Sequence, residues 1–298
     1  MQVGVLVVNP FASRVTQAKL AAVAAELSRV IEVTVELTER PGHATALVVE
    51  ACGSGADVVL VFSGDGGFNE AINGLAAEMP IGFLPGGGTS VLSRALGLPA
   101  DPVDAARRLA DAIAQKRTRR ITVGRVNGRR FAFGAGIGLD AEAVRRVDAM
   151  GRTDEGKRPG DLAFALAVLR SLASQRGHME PALEVKGLGR AAFAIVANGS
   201  PYTYAKRLPL PIAPEAQFEL GLDLVAPVRV RRRSLVPTAL SILTGHARRR
   251  GTVLYGHDLD RLEVVCDRPM PLHADGEDLG DVEEAVFEAE RGAVTVLS

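Results

Sequence analysis

The first hundred residues alternate between short apolar runs and stretches with helical spacing. Val3 to Val8 is apolar almost throughout, which predicts a strand buried on both faces. Leu20, Val23, Ala24, Leu27 and Val30 then form a stripe that predicts a helix over 17–30. The same reading gives strands over 31–37, 57–62 and 81–84, and helices over 43–52, 68–77, 90–96 and 102–114. Strands separated by single helices predict parallel pairing with right-handed crossovers. Ligands of such sheets sit at the carboxyl ends of the strands. The glycine-rich turns after Phe62 and after Leu84 both fall at such ends.

After about residue 120 the texture changes to strand-like runs separated by turn signals, among them ITVGRV, ALEVKG, AAFAIVAN, LDLVAP, RLEVV and AVFEAE. Helical spacing interrupts them over 141–150, 162–175 and 235–243. This pattern predicts an antiparallel β domain. The stretch 150–160 (MGRTDEGKRPG) reads as an exposed loop. The expected fold is therefore an α/β domain over 1–120, followed by a β-rich domain over 121–291.

Composition narrows the function classes. With 35 basic and 35 acidic residues the chain lacks the basic excess of a nucleic-acid binder. Its two cysteines, Cys52 and Cys266, lie far apart, which argues against a disulfide framework or a zinc site. No apolar stretch reaches the roughly 18–20 residues that span a bilayer. The opening MQVGVLVVNP lacks the marks of a signal peptide, so a cytoplasmic protein is expected.

The candidate chemistry lies in three turns. In VFSGDGGFNEAINGL (Val61 to Leu75), Ser63, Gly64, Asp65, Gly66 and Gly67 join a buried strand to a helix. Glycines let the backbone approach a ligand closely, and the amides of a helix start suit a phosphate. Asp65 fits such a loop if Mg²⁺ bridges it to the phosphates, or else serves as a helix cap. In PGGGTSVLSRALGLP (Pro85 to Pro99), glycines precede Thr89 and Ser90, which can cap a helix or bond a phosphate. In HADGEDLGD (His273 to Asp281), Asp275 and Glu277 flank Gly276. Two carboxylates there can accept a proton from a hydroxyl, or simply decorate an Asp-Gly hairpin turn. GxxxxGK[ST] occurs nowhere, which excludes a P-loop. GAGIGLD (Gly134 to Asp140) matches a dinucleotide fingerprint only in part, and in the β-rich half.

Taken in order, these segments resemble the diacylglycerol kinase catalytic-domain family, which includes bacterial lipid kinases and sphingosine kinases. VVNPFAS (Val7 to Ser13) and TERPGHAT (Thr38 to Thr45) are similar to its opening segments. SGDGGFNEAINGL is similar to its Gly-Gly-Asp-Gly-Thr signature, and PGGGTSVLSRALGLP, FGAGIGLDA and HADGE to its later landmarks. The resemblance implies ATP and Mg²⁺ in a cleft between an α/β domain and a β-sandwich-like domain. It also implies a last strand, Gly292 to Leu297, that returns to the first domain. Asn9, Pro10, Ser13, Thr38 and Glu70 would then contact the nucleotide. Ser63, Gly64, Asp65, Gly66 and Gly67 would cradle its phosphates, with Asp65 near Mg²⁺, and Gly87, Gly88 and Thr89 would serve at the second loop. The general base would lie in the Asp-Gly-Glu element, Glu277 first and Asp275 second. The implied reaction moves the γ-phosphate of ATP to a hydroxyl of diacylglycerol or a similar lipid alcohol.

The chain departs from the pattern at Ser63, where the family carries Gly, and at Gly67, where it carries Thr. Near 219 some relatives hold a structural Mg²⁺ with an Asp-Gly pair. Here the stretch reads Glu219-Leu220-Gly221, which leaves Glu219 as the metal candidate. The substitutions in the loop motivate a second reading, a non-catalytic nucleotide-binding or regulatory protein. A NAD kinase shares the Gly-Gly-Asp-Gly loop, but here Asn69-Glu70 follows that loop at once. Between Val228 and Gly251 lie seven arginines and no acidic residue, around the apolar LVPTALSIL. This pattern suits peripheral contact with an anionic membrane at its inner face. A homodimer is an expectation from the relatives.

Overall fold

The structure, a computed structural model, describes residues 2–149, 178–205 and 208–298. The helix expected over 162–175 and the loop expected over 150–160 lie outside the described residues. The chain divides into two compact units, residues 1–121 with 292–298, and residues 122–291.

The first unit is an α/β layer built in chain order from β1 (Val3–Val8), α1 (Gln17–Leu27), β2 (Glu32–Leu37), α2 (His43–Gly53), β3 (Val58–Ser63), α3 (Asp65–Gly74), β4 (Ile81–Pro85), α4 (Val91–Ala95) and α5 (Pro102–Ala114). Its strands pair in parallel in the order β2-β1-β3-β4. β3 and β4 are buried along their whole length, which is why their sequences read as unbroken apolar runs. β2 lies at the edge and exposes most of its residues, hence its alternation. At the far side Val296, near the chain's end, pairs in parallel with Ile81. Glu70 of α3 caps α2, because its carboxylate accepts from the Ala44 amide at 3.2 Å. One carboxylate oxygen of Glu70 thus serves the start of the neighbouring helix.

One boundary at the signature differs from the sequence reading. α3 starts at Asp65 rather than near Phe68, so the signature glycines form the helix's first turn instead of a loop before it. Gly64, extended at φ −90° and ψ −178°, is the residue that turns the chain from β3 into this helix.

The second unit is antiparallel. β5 (Thr118–Val126) leads into it, followed by β6 (Arg129–Phe131), β7 (Gly134–Ile137), α6 (Leu139–Ala149), β8 (Leu183–Val185), β9 (Gly189–Ala191), β10 (Ala194–Ala197), β11 (Thr203–Ala205), β12 (Leu208–Leu210), β13 (Leu222–Pro227), α7 (Leu235–Leu243), β14 (Val253–Leu259), β15 (Arg261–Ala274) and β16 (Glu277–Leu297). The sheet runs β14-β13-β10-β7-β15-β16, with β8 pairing on β15. One face buries Phe131, Ile137, Leu224, Leu262 and Phe287. The other buries Ile195, Val225 and Tyr202 beneath Ile242 of α7. β11 and β12 form a separate short hairpin that hydrophobic alternation did not reveal. Among the described residues no helix is long and apolar enough to cross a membrane.

Candidate active site

In the first unit the carboxyl ends of β1, β3 and β4 bring three segments together. The Asn9 side chain accepts from the Phe11 amide at 3.0 Å and shapes the turn that carries Pro10. The Arg14 amide donates to the Gly86 carbonyl at 2.8 Å, and its guanidinium donates to the Gly88 carbonyl at 3.1 Å. The Gly86 amide donates to the Ser63 carbonyl at 2.7 Å, joining the two glycine-rich turns. They approach so closely that a Cβ on Gly87 would lie 2.8 Å from the Gly64 Cα. A Cβ on Gly88 would lie 4.0 Å from the Ser13 hydroxyl. Thr38 follows β2 directly, with its amide on the Val8 carbonyl at 2.8 Å.

Asp65 bridges the two turns. Its carboxylate accepts from the amides of Val91 at 2.9 Å and Leu92 at 3.0 Å. It therefore caps α4, a helix 26 residues ahead in sequence, and not the helix it opens. Ser90, at φ 49°, turns back so that its hydroxyl and the Gly87 backbone exchange hydrogen bonds at 3.2 Å. Thr89, half-buried, sits between this turn and exposed Gly88.

The two departures from the family signature compensate each other. A Cβ on Gly67 would lie 2.1 Å from the Ser63 hydroxyl and 2.7 Å from its Cβ. Ser63 thus fills the space that a side chain at 67 would need, and a hydroxyl returns to the loop from the strand side. That hydroxyl is buried and has no hydrogen-bond partner among the described residues. A buried, unsatisfied hydroxyl at a helix start costs free energy unless something completes it, and a phosphate oxygen is a suitable acceptor. Asp65, which accepts a backbone amide on each carboxylate oxygen, is the acidic side chain of this loop.

In the second unit Asp275 and Gly276 form the two-residue turn between β15 and β16, with Ala274 opposite Glu277. Both have positive φ, 48° and 77°, as a type I′ hairpin requires. The hairpin reading therefore holds, but the Asp275 side chain is not solvated. It is buried and accepts from the amides of Ala132 at 2.6 Å, Phe133 at 3.0 Å and Gly134 at 3.1 Å. Glu277 is exposed and pairs with Arg129 at 2.5 Å.

Beside this turn lies a buried cluster that residue-by-residue reading missed. Asp140, which opens α6, accepts from the Tyr202 hydroxyl at 2.6 Å and faces the His273 Nε2 at 2.7 Å. The Gly276 amide reaches the His273 Nδ1 at 3.3 Å. An amide can only donate, so in the neutral ring Nδ1 accepts and the proton on Nε2 points to Asp140. His273 thus ties the Asp275–Gly276 turn to α6. Burial pushes the Asp140 carboxyl up, but the charge and hydrogen bond of His273, with the Tyr202 hydroxyl, outweigh it and hold the carboxyl below its ordinary range. The Tyr202 hydroxyl is raised well above its ordinary value by burial and by the neighbouring carboxylates Asp140 and Asp275. Gly136, opposite His273 in the sheet, leaves room for this: a Cβ there would lie 2.9 Å from the ring Nε2 and 3.0 Å from the Asp140 carboxylate.

Among the described residues no group of three His, Cys, Asp or Glu could hold an ion. Glu219 is exposed, and the buried carboxylate of this stretch is Asp223. Asp223 is taken up by His257 at 2.8 Å, the Asp258 amide at 3.1 Å and the Tyr255 hydroxyl at 3.3 Å. Burial and Asp223 together push the Tyr255 hydroxyl up to about 12.

Comparison with known proteins decides the family. Residues 4–126 match the model of the diacylglycerol kinase catalytic domain, and residues 134–298 match that of the YegS C-terminal NAD kinase beta sandwich-like domain. The chain belongs to the diacylglycerol kinase catalytic-domain family. A diacylglycerol kinase of Bacillus subtilis is 27% identical over 256 residues, covering 83% of this chain and 79% of that protein. A diacylglycerol kinase of Staphylococcus haemolyticus is 35% identical over 104 residues, 34% of this chain and 30% of its own length. The crystal structure of a diacylglycerol kinase from Bacillus anthracis shares the fold, with a TM-score of 0.72 at 19% identity over 99% of this chain and 96% of that one. Within this lipid kinase family, Ser63 and Gly67 and the Asp140–His273–Tyr202 cluster are the features to be explained.

Proposed function

We propose that this chain is an ATP-dependent lipid kinase that moves the γ-phosphate of ATP to a hydroxyl of diacylglycerol or a similar lipid alcohol. One observation carries the reading beyond family membership. The two glycine-rich turns are locked together by Asp65, around a buried Ser63 hydroxyl that has no partner of its own. Backbone amides, a helix start and one spare hydroxyl form a cradle for anionic phosphates. Asn9, Pro10, Ser13 and Thr38 border the same strand ends and would contact the rest of the nucleotide, with Gly87, Gly88 and Thr89 on the second turn.

Phosphoryl transfer demands positioning and charge neutralisation more than covalent help from the protein. Mg²⁺, when bound with the nucleotide, supplies neutralising charge, and Asp65 is the residue that would hold it. The Asp275–Glu277 turn supplies the base that accepts the proton of the lipid hydroxyl. Glu277 is the one reachable from solvent, whereas the Asp275 carboxylate fixes the turn by binding backbone amides. The compensating exchange of Ser63 and Gly67 favours this reading over a non-catalytic one, because a loop without phosphate to bind has no need to keep the hydroxyl.

The test is transfer of label from γ-labelled ATP with Mg²⁺ to a panel of lipid alcohols in mixed micelles, beside Asp65→Ala and Glu277→Ala. Label on one lipid, absent in both variants, is the expected result. Binding of Mg·ATP without transfer to any lipid would move the activity to another acceptor or remove it.

A further inference from the structure

α7 is built inside out. A surface helix ordinarily buries its apolar side and shows its polar side to water. Here Thr238 and Ser241 are buried with Ile242, and the Ser241 hydroxyl is spent on the Thr238 carbonyl at 2.8 Å. Val236, Leu240 and Leu243 instead stand 65%, 56% and 42% exposed. Their spacing of four and three residues puts them on one stripe of the helix. An apolar stripe turned to water needs something to cover it.

The flanks say what that is. The segment 228–251 contains no acidic residue. Two of its arginines are neutralised locally, Arg229 by Glu180 at 2.6 Å and Arg248 by Glu215. Arg231, Arg232 and Arg233 before the helix, and Arg249 and Arg250 after it, make no ion pair with the described residues. A second copy docked on this face would set these arginines against their like. An anionic surface with an apolar interior satisfies stripe and flanks at once.

We propose that α7 is a docking surface for an anionic phospholipid bilayer. Val236, Leu240 and Leu243 enter the boundary between headgroups and acyl chains, and the five unpaired arginines take lipid phosphates. The surface goes beyond the transfer reaction: it concerns how the chain reaches a lipid, not what it does to one.

The experiment is flotation of the full chain, without nucleotide, with phosphatidylcholine vesicles that contain or lack phosphatidylglycerol. Leaving out the nucleotide keeps a failure of docking separate from a failure of phosphoryl transfer. Two variants accompany the wild type, the triple change Arg231→Gln, Arg232→Gln, Arg233→Gln and the double change Val236→Ser, Leu240→Ser. All five positions are exposed, so both variants should fold, which circular dichroism checks. The wild type should float only with phosphatidylglycerol present. The arginine variant should bind roughly 100-fold more weakly, the factor that three basic residues near an anionic leaflet carry. The serine variant should lose binding even at low salt. Wild-type binding by both variants, or no binding to anionic vesicles, overturns the proposal. So does a fall from dimer to monomer in sedimentation velocity of the serine variant with vesicle binding intact, which would make the face a contact between copies.

Discussion

The turn after β3 and the turn between β15 and β16 both place an aspartate against backbone amides, yet they are built on opposite plans. Asp65 reaches across to the start of another helix, in a loop whose other members act through backbone and through space. Asp275 sits on a tight hairpin and gathers three amides from one strand junction, beside a buried network of side chains. The first plan tolerates exchange: a hydroxyl can move from position 67 to position 63 if the space moves with it. The second tolerates little, because every member of a buried polar network is another's partner.

The sharpest way to break the comparison is Asp275→Ala. It leaves three largely buried amides without an acceptor, at about 1–3 kcal/mol each, so a loss of about 4 kcal/mol or more is expected in urea unfolding. A variant within about 0.5 kcal/mol of the wild type would show that the hairpin stands without its aspartate. Glu277→Gln should separate chemistry from folding in the same turn. Its ion pair with Arg129 is exposed and contributes little to stability, about 1 kcal/mol at most. Its removal should lower kcat by about 10²–10⁴-fold with KM nearly unchanged. Full activity in Glu277→Gln would pass the role of base to Asp275.

The first turn is tested by restoring the family's residues. Gly67→Thr alone forces a Cβ to 2.1 Å from the Ser63 hydroxyl and should weaken ATP binding by roughly 100-fold, about 2.7 kcal/mol. Ser63→Gly together with Gly67→Thr should recover most of that loss, a positive coupling in a double-mutant cycle. Additive effects of the two substitutions would mean that the hydroxyls are not interchangeable.

How much of this was legible follows from the same contrast. The parallel unit announces itself through unbroken apolar strands, and its turns fall at strand ends where topology puts ligands. Asp65 was legible as a residue of interest but not as the cap of α4, because its partners lie 26 and 27 residues on. The bond from the Ala44 amide to Glu70 was not legible either, because its partners lie 26 residues apart. In the antiparallel unit His273 and Asp140 both stood inside motifs, but nothing local joins residues 133 apart. The register of β15 on β7, with His273 opposite Gly136, makes the cluster. The available signal was a glycine in a strand, which marks a close approach. Tyr202 lies in a segment with no motif at all.

The smallest expected effect lies in that cluster and depends on pH. Tyr202→Phe keeps the ring and removes one hydrogen bond to Asp140, at about 1.5 kcal/mol at neutral pH. The folded Asp140 carboxyl lies below its ordinary value of 3.8, since His273 and Tyr202 outweigh the upward push of burial. A carboxylate depressed in the folded state adds stability that is complete above the unfolded pKa, near 4, and is lost as pH falls through the folded value. Without the tyrosine hydroxyl the depression shrinks, so the variant has less to lose in acid. Urea unfolding of both proteins at about pH 7 and about pH 3 should therefore show the gap between them narrowing below pH 4. A gap that stays constant would mean that the Tyr202 hydroxyl supports the cluster by filling space, and that the charge on Asp140 is held by His273 alone.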